Sequence, residues 1–130
     1  MKKTIIILMT VAAFTTVARA GTPDEDFDAN IPKTNAINEE LDEATAAIYL
    51  SYGSLTASLP QIETAMAHAQ ADVDKQNAIL QRGIDQCEAD PEYNKEHRRF
   101  WLQVAILLNK EQHQLNELRA SIQKKLAKSQ

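Results

Sequence analysis

The stretch that decides the fold is residues 91–128, PEYNKEHRRFWLQVAILLNKEQHQLNELRASIQKKLAK. After Pro91 it contains neither glycine nor proline, and its apolar residues recur every three or four positions, which is the spacing of one helical face. Asp90 suits the N-cap, and Pro91 suits the first helical position, where a missing N–H is not needed. The pattern predicts one helix ~55 Å long. Its apolar band consists of Phe100, Trp101, Val104, Leu107, Leu108, Leu115, Leu118, Ile122 and Leu126.

A second helical stretch precedes it. Ser58 fits the N-cap, Pro60 falls in the first turn, and Gln61 has the capping-box spacing from the serine. Gln76 interrupts the apolar stripe, and Gly83 weakens the helix near its end. The stripe consists of Ile62, Met66, Ala69, Val73, Leu80, Ile84 and Cys87.

The first helical stretch is predicted to begin near Thr34 or Asn35, just after Pro32. Carboxylates in its early turns complement the positive end of the helix dipole. Gly53 either ends this helix or lies within it. The apolar positions are Ile37, Leu41, Ala44, Ile48, Tyr52, Leu55 and Leu59.

No alternating segment indicates a strand, so the predicted fold is all-α: an antiparallel three-helix bundle of long amphipathic helices. The predicted connections lie near Gly53–Leu59 and Glu88–Pro91, and the helical domain spans 34–130. Residues 21–33, with two prolines and four acids, are expected to form an extended acidic lead-in. The first helix is expected to be shorter than the third, which would then project and need cover for its carboxyl half.

Residues 1–20 have the features of a cleaved signal peptide. Lys2 and Lys3 precede an apolar run over 4–17, and Ala18-Arg19-Ala20 fits a small-x-small cleavage site. The run is too short for a membrane span and is followed by acids rather than a basic flank. We therefore expect export to the periplasm, no stable membrane span after processing, and a mature chain that begins at Gly21. Further secretion stays open, and an uncleaved anchor is the alternative.

Charge limits the partners. The chain carries a net charge of -4, and losing the three basic residues of 1–20 changes this to about -7. Such a chain is poorly suited to nucleic acid or to an anionic membrane, because phosphates would repel it. A protein partner with a basic patch is the better electrostatic match.

No cofactor or metal site is predicted. The histidines His68, His97 and His113 are not spaced as zinc ligands. In residues 24–35 acidic side chains occupy alternate positions at the start, as the first ligands of a calcium loop do. The segment lacks the glycine that such a loop has at its sixth position and the Glu that it has at its twelfth.

Cys87 is the only cysteine, so no internal disulfide is possible. It is interpreted as a buried apolar residue or, alternatively, as the site of an intermolecular disulfide. His97 lies across the second connection, but no oxyanion-forming loop accompanies the pair, so no catalytic residue and no enzyme are predicted.

The function most consistent with these features is that of a periplasmic, non-catalytic protein that binds other proteins. The chain would serve as a secretion or conjugation accessory, a chaperone or a toxin-immunity partner. Arginine, tryptophan and uncovered aliphatic residues often dominate binding energy, and an acidic helix face attracts basic partners. The predicted contact residues are Arg98, Arg99, Trp101, Leu115, Leu118, Ile122, Leu126, Glu39 and Glu43.

Two alternatives stay open. The first is a structural coiled-coil homo-oligomer of the cell envelope, in which Gln76 and Glu111 set the register as polar residues within apolar stripes. The second is a thiol-dependent enzyme that uses Cys87.

Overall fold

The computed structural model describes residues 22–50 and 55–128, which form three α-helices. These are α1 (Pro23–Leu50), α2 (Leu55–Ala89) and α3 (Pro91–Lys128). Within the two ranges there is no strand, and α2 packs along both α1 and α3. The predicted all-α three-helix bundle is confirmed. None of these helices, over the residues described, is both long enough and apolar enough to cross a membrane.

The predicted connection between α2 and α3 is confirmed and consists of Asp90 alone. The Asp90 carboxylate accepts hydrogen bonds from the backbone N–H groups of Glu92, at 3.0 Å, and Tyr93, at 3.3 Å. Pro91 occupies the first helical position, where no partner for an N–H exists. The cap and the proline together reverse the chain within one residue.

The extended lead-in predicted for 21–33 is wrong, because α1 begins at Pro23. Thr22 donates a hydrogen bond to the Glu25 carboxylate at 2.5 Å, and its carbonyl accepts from the N–H of Asp26 at 3.0 Å. This is capping-box spacing with proline at the first helical position. Three acids in the first turn add a favourable interaction with the helix dipole.

Pro32 lies inside α1, where a proline removes one backbone hydrogen bond and costs about 3 kcal/mol. Tertiary packing offsets that cost, because Phe27 and Thr34, on either side of the proline, are only 2% and 3% exposed. Local propensity at this proline is therefore overridden by burial against the other two helices.

The start of α2 also differs from the prediction. The helix begins at Leu55, three residues before Ser58, and includes Pro60. Leu59 and Ile62 pack within the apolar core, which favours continuing the helix across the proline. The leader at 1–20 and the glycine at position 53 lie outside the described residues.

Side-chain pairs fix how the helices align. Gln70 and Gln112 exchange amide hydrogen bonds at 2.7 and 2.9 Å, so the carboxyl end of α3 lies level with the amino end of α2. Although α1, at 28 residues, is shorter than α3, at 38 residues, the expected projection of α3 is wrong. The reason is that side chains from the middle of α1 and from the first half of α2 pack against the carboxyl half of α3 in one apolar cluster.

The buried apolar side chains form two clusters. The aromatic cluster lies near the start of α1 and contains Phe27, Ile79, Leu80, Phe100, Trp101, Val104 and Leu108. The aliphatic cluster fills the other half and contains Leu41, Ala44, Ile62, Ala65, Met66, Ala69, Val73, Leu115 and Ile122.

Candidate interaction surface

Three of the predicted contact residues lie in two different environments. Arg98 and Arg99 are exposed on α3, as a partner-binding role requires. Trp101 is only 2% exposed and belongs to the aromatic cluster. The structure therefore separates the tryptophan from the arginines: it is part of the core and is not available at the surface.

The burial of Trp101 depends on its immediate neighbours. Its ring packs edge-on against Phe27, with centroids 6.1 Å apart, and against Phe100, at 4.7 Å. Its indole N–H donates to the Tyr93 hydroxyl at 3.1 Å, which satisfies the polar group. On the α2 side the ring lies where a Cβ of residue 83 would be, so only Gly83 admits it.

The expectation that the carboxyl half of α3 stays uncovered is wrong. Leu115 is 0% exposed and Ile122 is 6% exposed, since both pack within the aliphatic cluster. Leu118 and Leu126 are partly buried against the same cluster. These four side chains pack in the bundle, and two of them, Ile122 and Leu126, also line an open groove.

The exposed apolar residues of α3 lie on its opposite face. Leu102 is 55% exposed and Ile106 is 68% exposed, four positions apart and therefore adjacent on the helix surface. Basic side chains flank the pair on the same outward face. We call this surface the outer strip; it consists of Lys95, Arg98, Arg99, Leu102, Ile106 and Lys110.

The remaining predicted contacts lie elsewhere. Glu39 and Glu43 are exposed on α1, whereas Glu40 between them accepts a hydrogen bond from His68 at 2.9 Å. Cys87 is a free, half-buried thiol near the end of α2, and burial raises its pKa. The structure does not bring these groups together with the outer strip.

A groove of about 650 Å³ runs between α2 and α3 at the end opposite the aromatic cluster. Met66 and Ile122 line it with apolar atoms, and Glu63, Asp74 and Arg119 lie at its sides. Ile122 belongs to the predicted contact set, but it is 6% exposed and lies at the base of the groove.

Between the two clusters lies a buried polar layer, which consists of Asn30, Thr34, Asp72, Gln76 and Glu111. The Asp72 carboxylate accepts hydrogen bonds from the Asn30 amide at 3.0 Å, the Thr34 hydroxyl at 2.7 Å and the Gln76 amide at 2.8 Å. Asp72 is thus the shared acceptor for three buried donors, two of them on α1.

Glu111 faces this layer from α3 and is 3% exposed. Burial, together with the negative charge of Asp72, raises the pKa of Glu111 to about 8. Gln76 and Glu111 do interrupt apolar stripes, as the sequence indicated, but both are buried within one chain. Neither is left exposed to set the register between two chains.

A second buried polar group joins the start of α1 to the start of α3. The Tyr93 hydroxyl donates to Asp24 at 3.1 Å, and burial is the main cause that raises the pKa of Tyr93. The Tyr93 and His97 rings stack at 4.0 Å, and His97 Nε2 lies 3.9 Å from Asp24. This group holds α1 against α3 rather than forming a cleft.

The chemistry available to the described residues is correspondingly limited. No group of three His, Cys, Asp or Glu side chains among them is placed to share a metal ion. His68 and His113 each lie close to an exposed glutamate, at 2.9 Å and 3.7 Å, as surface histidines often do.

Sequence reasoning missed the two aliphatic residues of the outer strip. Leu102 and Ile106 lie outside the apolar stripe that includes Val104 and Leu108. The sequence feature that could have revealed them is this pair of apolar residues, four positions apart, on a different face of the helix. On α1 the polar layer was missed because Asn30 fell in the predicted lead-in and Thr34 was interpreted as an N-cap. Neither a protein-family model, nor a curated protein, nor a solved structure matches this chain.

Proposed function

We propose that the mature chain, beginning at Gly21, is a periplasmic protein without catalytic activity that binds another envelope or secreted protein through the outer strip of α3. The observation that carries the proposal is the exposure of Leu102 and Ile106, at 55% and 68%, on a helix whose opposite face is buried. Burying a large aliphatic side chain contributes about 1.5–3 kcal/mol. Two such side chains beside arginines form a surface that a partner would stabilise.

Arg98 and Arg99 support the same surface. Arginine is enriched at protein interfaces because its guanidinium forms several hydrogen bonds and stacks on flat groups. The two arginines precede Leu102 by four and three positions of α3, so a partner that covers the leucine also meets a guanidinium.

Two features favour binding over catalysis. Burial raises the pKa of the Cys87 thiol, which lowers the fraction of reactive thiolate. His97 Nδ1 lies 3.2 Å from the backbone carbonyl of Tyr93, and its ring stacks on that of Tyr93, so the imidazole is engaged within its own helix.

The structural homo-oligomer has less support. A coiled coil between chains would use the apolar stripe of α3, and Leu115 and Val104 of that stripe are both 0% exposed within one chain. Little of this stripe is left for a second chain.

Export is tested by isolating the protein from its host. The periplasmic fraction should contain a protein whose measured intact mass equals that of a chain that begins at Gly21. A chain that keeps residues 1–20 and fractionates with membranes would contradict the proposed location.

Binding is tested by site-specific photocrosslinking in the native envelope. A photoreactive phenylalanine analogue at Ile106 should give one discrete protein adduct, and Leu102→Asp should abolish it. The matched control is the same analogue at Gln81, an exposed position on α2, which should give none. Identical patterns at both positions, or no adduct at Ile106, would overturn the proposed binding surface.

A further inference from the structure

The four cations of the outer strip form no ion pair with any described residue, in contrast to one arginine of α2. Arg82 illustrates the contrast, since it bonds to Asp26 of α1 at 2.6 Å. Lys95, Arg98, Arg99 and Lys110 are exposed and without such a partner among residues 22–50 and 55–128. These four positive charges favour an acidic partner at this face, whereas the negative net charge of the whole chain favoured a partner with a basic patch.

From this arrangement we propose that the occupant of the outer strip is an acidic amphipathic helix of the partner protein; the proposal rests on the proposed function. Its apolar residues would cover Leu102 and Ile106, and its carboxylates would pair with the flanking cations. Helices that bind along a surface in this way place their anchors three, four or seven residues apart.

The dimensions of the strip fit a short helix. Lys95 and Lys110 lie fifteen positions apart on α3, which corresponds to roughly 22 Å at 1.5 Å per residue. A partner helix of about four turns has this length. It would bring apolar residues to the middle of the strip and carboxylates to both ends.

A second copy of the chain is a poorer occupant of the same strip. In an antiparallel pair centred between Leu102 and Ile106, Arg98 of each copy would lie beside Lys110 of the other. In a parallel pair the arginines would face each other. Either arrangement places like charges together, which disfavours association.

A membrane surface is also a poorer fit. A helix that lies in the interface buries a wide apolar face, whereas the strip offers only Leu102 and Ile106. The rest of the chain is acidic, and anionic lipids repel it.

The experiment uses the full mature chain and the protein captured from Ile106. The double variant Arg98→Glu/Arg99→Glu should weaken the affinity for that protein at least tenfold. The matched control Lys75→Glu, at an exposed cation on α2, should change it less than twofold. A zero-length amine-to-carboxylate crosslinker should join Lys95 or Lys110 to glutamates or aspartates three, four or seven residues apart in the partner.

The possible failures are distinct. No adduct at Ile106 overturns the proposed function and this inference with it. An adduct overturns this inference alone if Arg98→Glu/Arg99→Glu weakens the affinity for the captured protein no more than Lys75→Glu does. The same holds if the crosslinked residues of that protein do not lie on an acidic helix. Capture of a phospholipid or of a second copy of the chain overturns it as well.

Discussion

The two hydrophobic clusters of the bundle are built in different ways. The aliphatic cluster uses small and branched side chains, among them three alanines, at regular helical spacing. The aromatic cluster depends on a few large rings, and Phe27 alone contacts both Phe100, at 5.5 Å between centroids, and Trp101, at 6.1 Å. The aliphatic half is therefore stabilised by many small contacts. In the aromatic half, one side chain, Phe27, anchors the start of α1.

This difference explains why a helix start with an internal proline is stable. The first turns of α1 contain acids, asparagine and proline, which favour the helix little by themselves. Burial of Phe27 supplies what local propensity lacks. The aromatic half should therefore be sensitive to single substitutions at its anchor.

The largest expected effect comes from removing that anchor. Phe27→Ala should destabilise the protein by about 3–5 kcal/mol, because a large ring is lost and its cavity cannot collapse fully. Urea unfolding gives the free energy, and hydrogen exchange should show lost protection over residues 23–33. Leu41→Ala in the aliphatic cluster is the comparison: it should cost about 2–5 kcal/mol without selective loss at the start of α1. Equal hydrogen-exchange profiles for the two variants would contradict the claim that the start of α1 depends on one anchor in the aromatic half.

The next effect concerns the polar layer that separates the two halves. Glu111 is protonated in the folded state up to a pKa of about 8, whereas an unfolded glutamate loses its proton near pH 4.5. The folded state thus binds more protons between these values, so this contribution to stability is complete below pH 4.5 and is lost as pH rises through about 8. Glu111→Gln should match the wild type at pH 4.5 and exceed it by ~2 kcal/mol or more at pH 8.

Chemical unfolding at several pH values measures this difference. Asp72→Asn is the control, because it weakens the acceptor for three buried donors and should destabilise the protein throughout the range. A stability difference between Glu111→Gln and wild type that does not vary with pH would contradict the assignment of a buried, protonated Glu111.

A smaller effect is expected at Gly83. In an open helix position glycine to alanine stabilises by about 1 kcal/mol, but here the added methyl would overlap the Trp101 ring. Gly83→Ala should therefore destabilise by about 1–3 kcal/mol through overpacking. The reverse change at an exposed position of the same helix, Ala78→Gly, should cost about 1 kcal/mol from propensity alone. Stabilisation by Gly83→Ala would show that the ring moves aside freely.

The smallest effect is expected at the turn. Asp90→Ala should cost about 1 kcal/mol, since the N–H groups of Glu92 and Tyr93 lose their acceptor. Asp90→Asn retains an acceptor and should recover most of the loss, which thermal unfolding would detect. Equal stability of the alanine and asparagine variants would mean that the cap contributes nothing.

The sequence predicted the aliphatic half well, and in the aromatic half it predicted the apolar stripe of α3 but not Phe27 of α1. Regular spacing from Ile62 to Val73 and from Leu108 to Ile122 is visible without a structure, as is the Asp90-Pro91 start of α3. The start of α1 was missed because Pro32 was interpreted as a residue that precedes the helix. A single phenylalanine, Phe27, does not create the repeated apolar spacing that predicts a helix.

The candidate site was predicted only in part. Arg98 and Arg99 are exposed as expected, but sequence alone could not tell which aliphatic residues of α3 the other helices cover. That depends on the alignment of three helices, which pairs such as Gln70 with Gln112 determine. Leu102 and Ile106 become evident only once that alignment is known.

The position of the one tryptophan gives the bundle a local optical reporter. Trp101 touches Phe27 of α1, fills the space above Gly83 of α2 and belongs to α3, so its fluorescence samples all three helices at one end. Circular dichroism, in contrast, averages over the whole length. Emission that shifts at a lower urea concentration than the ellipticity would mean that the start of α1 detaches while the aliphatic half is still folded.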